Sequence, residues 1–260
     1  MTTLMNEAPS FSLAGRSALV TASGRGLGQA IALALAHAGA DVALGLRDSR
    51  SGADTVDAIE ALGRRAVRLQ MDMTSLAEIR DAVEQAANAF GGLDILVNNA
   101  GIARVSDAES VSVEDFDATL ALNLKGTFFA SQAAAAVMRR RGFGRIINIG
   151  SQAGLVALPG ESVYCMTKAA ITHLTRCLAV EWGRHGITVN CVAPTFIETP
   201  GTEAALGDPA FRADVIERIA ALHRIGTPSD VTGAVVFLAS PAASLITGTT
   251  IPVDGGWTAR

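Results

Sequence analysis

Seven short runs rich in Val, Ile and Leu, each separated from the next by a stretch long enough to hold a helix, constrain this chain more than any other feature. They lie at Ser17–Thr21, Asp41–Leu46, 66–71, Ile95–Asn98, 145–149, 188–192 and Thr250–Val253. They lack the polar alternation of a strand with one wet face, so both faces are expected to be covered. Helical patterns fall between them at 26–38, 51–62, 75–90, 113–140, 163–184, 209–222 and 228–238. Strands joined by crossovers of this length predict an α/β fold with a parallel, doubly wound, seven-stranded sheet and helices on both faces. No internal repeat or linker divides the chain, so residues 13–260 are expected to form a single domain after a loose tail over residues 1–12. Beyond Pro194 the pattern is broken by Pro200, Gly201, Gly207 and Pro209. That stretch, 194–225, is expected to form a substrate loop or lid.

Composition removes several classes of function. Hydrophobic residues make up 49% of the chain, yet no run of about 18 apolar residues occurs, so no membrane span is expected. A doubly covered sheet, or apolar surface between subunits, accounts for the excess. The first residues show no basic region followed by an apolar run, and no secretion signal is expected. Net charge is −4, and the densest basic run, Arg139 to Arg141, sits at a predicted helix end, where it complements the helix dipole. No nucleic-acid partner is expected. Cys165, Cys177 and Cys191 have no metal-ligand spacing. An odd number of thiols without a secretion signal suggests a reduced, cytoplasmic protein.

The first strand runs into Thr21-Ala22-Ser23-Gly24-Arg25-Gly26-Leu27-Gly28 and then an alanine-rich helix. Small residues at such a junction let the backbone approach a pyrophosphate, and the helix N-terminus offers it free N–H groups. The strand-before, helix-after context is met, although the spacing is looser than G-x-G-x-x-G. An ordinary βα turn would use glycine in the same place.

Tyr164 is the only tyrosine, and the only two lysines are Lys125 and Lys168. One of those lysines therefore stands four residues after the one phenol. On a helix these positions share a face. A free phenol titrates near ~10, and a neighbouring ammonium favours its ionised form. The pair is thus a candidate general acid/base; a surface Tyr–Lys contact is the alternative. Ser151 follows the strand 145–149 through Gly150, at the strand end where such sheets bind ligands. Asn123 lies inside the long helical pattern 113–140, where an amide is a mediocre helix former and marks a backbone or water contact.

These residues, together with Asn98-Asn99-Ala100-Gly101, the segment 194–199 and the ending Val253-Asp254-Gly255-Gly256-Trp257, resemble the short-chain dehydrogenase/reductase superfamily in its single-domain, Rossmann-type form. The resemblance covers residues 13–260. It implies an NAD(P)-dependent oxidoreductase that moves a hydride between the cofactor and a small alcohol or carbonyl substrate, with no metal required. It implies that Tyr164 exchanges the substrate proton, that Ser151 polarises the substrate oxygen, and that Lys168 holds the nicotinamide ribose and lowers the Tyr164 pKa. Asn123 would hold a water linking Lys168 to solvent. Thr21, Ser23, Arg25, Gly26 and Leu27 would line the phosphate turn, Asp72 and Met73 the adenine, and Asn99, Ala100 and Gly101 the ribose. Pro194, Ile197 and Thr199 would fix the nicotinamide amide. Two positions depart from the family: Ala22 replaces the first glycine of the turn, and Thr195 replaces the glycine after Pro194.

NAD-preferring relatives end the second strand with an acid. Here Leu46 is followed by Arg47, and Arg25 lies in the turn. Two guanidinium groups suit a 2′-phosphate, which favours NADP(H). NAD(H) stays open because Asp48 lies about twenty residues past Gly28, the distance of a ribose-binding acid. Candidate substrate residues are Arg104, Gln152, Leu158, Glu161, Thr195, Phe196 and Trp257, alongside Ser151. Their polar members favour a small polyol, sugar or keto acid. A 3-oxoacyl-type carbonyl reductase is the runner-up, and a catalytically inactive nucleotide-binding regulator is the reading of a different class. The resemblance also implies a homotetramer, with 130–138 and 169–180 as candidate helix interfaces.

Overall fold

The computed structural model describes residues 8–259. Residues 1–7 of the expected tail lie outside the described residues. At Ser10 the carbonyl accepts from the Ala242 N–H, and the Phe11 ring lies 6.1 Å from that of Phe237.

Strands β1 (Ser17–Thr21), β2 (Asp41–Leu46), β3 (Ala66–Gln70), β4 (Ile95–Asn98), β5 (Gly144–Ile149), β6 (Ile187–Pro194) and β7 (Thr250–Val253) form one parallel sheet in the order β3-β2-β1-β4-β5-β6-β7. Alternate strand residues feed opposite cores. Ala18, Val20, Val42, Leu44, Ile95, Val97 and Ile147 pack on one side, with α1 (Gly26–His37) and α9 (Pro228–Ala239). Leu19, Ala43, Leu96, Ile146 and Val189 pack on the other, with α3 (Leu76–Phe90), α5 (Thr127–Arg141) and α6 (Ser162–Trp182). This double burial is why the strands read as unbroken apolar runs. Strand order reverses direction between β1 and β4, and ligands bind such sheets at that point, beyond the strand carboxyl ends.

Several helices differ from expectation. The pattern 113–140 is not one helix but α4 (Val113–Leu120), a π-helical turn (Ala121–Gly126) and α5. Gly126 lies so close to Met73 that a Cβ there would stand 2.5 Å from the Met73 carbonyl oxygen. The widened turn accommodates that approach and carries Asn123. Helix α2 (Ala53–Ala61) starts two residues late because Ser51 hydrogen-bonds the Asp48 carbonyl and Gly52 is left-handed. Helix α8 (Pro209–Arg218) stops before 222 because the N–H groups of Ala221 and Leu222 turn to the Gly255 carbonyl. A four-residue helix, α7 (Glu203–Leu206), forms within the irregular stretch. The stretch is pinned at its base: Ile197 bridges Gly226, with Glu198 N–H to Gly226 O at 2.8 Å and Gly226 N–H to Phe196 O at 3.0 Å.

The segment 130–138 belongs to the core of the chain itself: Ala130, Ala134, Ala135, Val137 and Met138 are buried. That burial accounts for its apolar pattern. No described helix is long and apolar enough to cross a membrane.

Candidate active site

A cleft of about 330 Å³ opens at the carboxyl ends of β4, β5 and β6, and its lining includes Ser151, Gln152, Glu161, Tyr164, Lys168 and Thr195. Leu158, Pro194, Phe196, Ile197 and Thr199 complete its apolar and loop sides, and Leu27, Asn99 and Gly101 face it from the turn end.

Tyr164 and Lys168 converge as their helical spacing predicts. The Lys168 ammonium lies 5.5 Å from the Tyr164 ring centroid and donates to the Ile149 carbonyl at 2.8 Å. Burial pushes the lysine down to about 8. Burial also dominates at the phenol, which is pushed up to about 12. The Ser151 hydroxyl within hydrogen-bonding reach lowers it, and the charge of Glu161 raises it further. In this structure burial outweighs any lowering of the phenol by Lys168. Ser151 donates to the Gln152 side-chain oxygen at 2.8 Å and accepts from the Ala153 N–H at 3.1 Å. Its hydroxyl is thereby held beside the phenol.

Asn123 makes a backbone contact, as its awkward place in a helix suggested. Its amide accepts from Ile102 N–H and donates to Ile102 O, both at 2.9 Å, and it donates to Thr167 at 3.1 Å. Ile102 and Thr167 escaped sequence reasoning because one contributes only backbone and the other is an ordinary helix residue. Thr202 escaped it too. Its hydroxyl donates to Ile197 O at 2.6 Å and accepts from Thr199 N–H at 3.1 Å, fixing the strip that borders the cleft.

The turn end fits a dinucleotide on three observations. No side chain caps α1, so its first-turn N–H groups face outward without a side-chain acceptor, as an anion site requires. Gly28 allows strand and helix to touch: a Cβ there would stand 2.4 Å from the Ala22 carbonyl oxygen. Gly26 and Ala22 are left-handed, φ 59° and 54°. Glycine takes this conformation freely, whereas alanine is strained by roughly 1–2 kcal/mol. Ala22 therefore keeps the left-handed turn at a cost in backbone strain. Near the opposite end, the Thr195 hydroxyl is buried without a partner among the described residues and borders the cleft beside Pro194 and Ile197.

Several expected contacts are placed differently. Thr21 uses its hydroxyl internally, accepting from the N–H groups of Asn99 and Ala100 at 2.9 and 3.0 Å. Ser23 turns inward, fully buried, onto the Val20 carbonyl. Asn99 donates to the Thr21 carbonyl. Asp72 is occupied by Thr74, accepting from its N–H and hydroxyl at 2.8 and 2.7 Å, and Met73 is buried. Arg104 does not line the cleft. It is drawn to Asp115 in an ion pair at 2.5 Å, an attraction between loop and helix that its sequence position did not reveal. Trp257 belongs to the small core beneath the loop, with Leu206, Val215, Ile219 and Ile225, and packs 5.8 Å from Phe196. Asp48 is clamped by Arg50, Nη2 to Oδ2 at 2.8 Å, which holds its carboxyl at about 2. β2 ends at Leu46 as expected, and Arg25 and Arg47 carry no side-chain hydrogen bond among the described residues. Among those residues no cluster of three His, Cys, Asp or Glu side chains could hold a metal ion.

Known proteins resemble this chain over nearly its whole length. Residues 21–258 match a family model described as enoyl-(acyl carrier protein) reductase. The chain is 42% identical over 251 residues to a 2-dehydro-3-deoxy-D-gluconate 5-dehydrogenase of Escherichia coli (strain K12), covering 96% of this chain and 98% of that one. It is 39% identical over 251 residues to a D-threitol dehydrogenase of Mycolicibacterium smegmatis (strain ATCC 700084 / mc(2)155), covering 96% and 95%. The crystal structure of a gluconate 5-dehydrogenase from Burkholderia cenocepacia J2315 in complex with NADP and tartrate superposes with a TM-score of 0.93 at 37% identity, covering 97% and 98%.

Proposed function

Because the chain belongs to the short-chain dehydrogenase/reductase family and is an NAD(P)-dependent oxidoreductase, we propose that it interconverts a secondary alcohol and a ketone on a small polyhydroxylated compound, a polyol, sugar or keto acid, using NADP(H). The observation that carries this is the meeting of Tyr164, Lys168 and Ser151 in one cleft, next to the uncapped end of α1.

When bound, the nicotinamide supplies or accepts the hydride. Ser151 holds the substrate oxygen. Tyr164 gives that oxygen a proton in reduction and takes one in oxidation. Lys168 holds the nicotinamide ribose hydroxyls and stabilises the ionised phenol. Asn123 relays protons outward through a water. In its favour, Asn123 Oδ1 and Lys168 Nζ both stand beside Gly101, each 3.5 Å from where a Cβ would lie. The uncapped α1 turn would hold the pyrophosphate, Ile197 and Thr199 would border the carboxamide, and Asp72, although it already accepts from Thr74, would border the adenine. The segment 194–225 forms the lid of the substrate site.

NADP(H) is preferred because Arg47 and Arg25 are available to a 2′-phosphate, while Arg50 occupies Asp48. The similar protein solved with NADP is consistent with this. Arg47→Ala is expected to lower kcat/KM for NADPH by about tenfold or more and to leave NADH almost unchanged. A marked preference for NADH in the unaltered protein would reverse the assignment.

The polyol and sugar-acid names among the relatives support the substrate class. A 3-oxoacyl-type reductase is the second reading, favoured by the family model's acyl-carrier description. The half-buried Glu161 in the cleft disfavours an acyl chain. The deciding experiment follows NADPH absorbance in both directions over polyols, sugars, keto acids and an acyl-carrier thioester. Activity on the thioester alone would sink the first reading.

The enzyme works as a homo-oligomer, in the family's tetrameric form, in the cytoplasm. An apolar groove of Leu120, Leu124, Phe128, Phe129 and Leu174, drawn from α4, the π-turn, α5 and α6, supports association, and the free thiols of the three cysteines suit a reducing compartment. Light scattering that gives a monomer at micromolar concentration would refute the assembly.

A further inference from the structure

We infer that Glu161 makes the cleft select uncharged polyols over sugar acids, by accepting a hydrogen bond from a substrate hydroxyl remote from the reacting carbon. The inference rests on the polyhydroxylated-substrate reading above and narrows it.

Glu161 stands at the N-cap of α6, one turn before Tyr164. Its carbonyl accepts from Cys165 N–H at 2.8 Å, and its own N–H donates to Leu158 O at 3.2 Å. The backbone is therefore fixed on both sides. The side chain makes no cap hydrogen bond to the helix. It lines the same cleft as Ser151, Gln152 and Tyr164. Among the described residues no donor bonds its carboxyl, and the residue is half-buried. Burial pushes that carboxyl up, the sign of an acceptor short of water and of partners. A substrate hydroxyl supplies the missing donor.

Charge then decides between the two kinds of substrate. The one cation among the cleft-lining residues is Lys168, whose ammonium is directed to the Ile149 carbonyl. Arg104, which could have met a carboxylate at the rim, is held by Asp115. A sugar acid brought against Glu161 would set two carboxylates a few ångströms apart without a free counter-ion. At the effective dielectric of a partly buried site, that repulsion amounts to about tenfold in affinity or more. A tetritol carries no such charge. Several relatives are named for sugar acids and one for D-threitol, so the charge of this cleft makes a prediction that similarity does not.

The test measures kcat/KM for D-threitol and D-gluconate with NADP⁺ in the unaltered protein, Glu161→Gln and Glu161→Ala. The unaltered protein is expected to favour threitol by about tenfold or more. Glu161→Gln keeps the shape and removes the charge; it should raise gluconate about tenfold and lower threitol only modestly. Glu161→Ala should raise the KM for threitol by about tenfold with little change in kcat. A gluconate preference in the unaltered protein, or a threitol/gluconate ratio unmoved within about twofold in Glu161→Gln, overturns the inference while leaving the parent reading standing. Turnover of the acyl-carrier thioester with neither sugar compound overturns both. A reading that needs no variant is inhibition of threitol oxidation by gluconate. A gluconate Ki well above the threitol KM is expected, and one below it refutes the charge argument.

Discussion

Replacing Tyr164 by Phe is expected to lower kcat by about a thousandfold, within the 10²–10⁴ range of general acid–base catalysis, with NADPH affinity nearly unchanged. The substitution removes one hydroxyl and leaves α6, the Lys168 contact with Ile149 and the turn at α1 in place. Among its neighbours in the cleft, Gln152 is an amide that accepts from Ser151, Glu161 carries a carboxyl, and the Lys168 ammonium is directed to the Ile149 carbonyl. The pH profile is part of the same prediction. With the phenol pushed up to about 12, reduction, which needs it protonated, should hold its rate across the neutral range. Oxidation needs the ionised phenol and should accelerate as pH rises. Its apparent pKa should fall well below 12, because the oxidised nicotinamide and the Lys168 ammonium both favour the phenolate. Steady-state rates in both directions, with circular dichroism to confirm folding, decide the matter. Retention of more than a tenth of kcat would remove Tyr164 from the mechanism.

Lys168→Met is expected to lower kcat/KM by about a hundredfold, largely through a higher KM for NADPH, and to change how stability depends on pH. Burial holds the folded-state pKa near 8, against an ordinary value of 10.5. Between those values the unfolded chain binds more protons than the folded one, so this lysine makes stability rise with pH across the window. Its unfavourable buried charge is fully present below about pH 8 and disappears as the proton is lost. The methionine variant lacks that contribution. Urea unfolding at pH 7.5 and pH 10 should therefore show the unaltered protein gaining on the variant by about 2 kcal/mol. Equal pH slopes for the two proteins would show that Lys168 is not charged and buried in the way its surroundings imply. The same buried charge that weakens the fold at neutral pH is what places an ammonium beside the phenol and ribose.

The site was only partly legible in the sequence. Tyr164 and Lys168 stood out because the chain has one tyrosine and two lysines, and helix geometry converts a four-residue spacing into proximity. Ser151 was legible because strand ends bind ligands. Asn123 drew attention as a misfit, but its partners Ile102 and Thr167 come from other elements and left no local mark. Arg104 and Trp257 misled for a related reason. A side chain's neighbours in space decide whether it faces a cleft, and Asp115 and the core beneath the loop claimed these two.

By itself the sequence determined the sheet, its parallel sense, its helices and the pairing of phenol with ammonium. Each follows from periodicity and short-range geometry, which act within a few residues. The tertiary structure alone decided the π-turn at Ala121–Gly126, the left-handed Ala22 and the unpartnered carboxyl of Glu161. These depend on close approaches that exist only once the cores are packed. Burial has the same origin: it raises the Tyr164 pKa and lowers that of Lys168, because desolvation is a property of the folded surroundings and not of the residue.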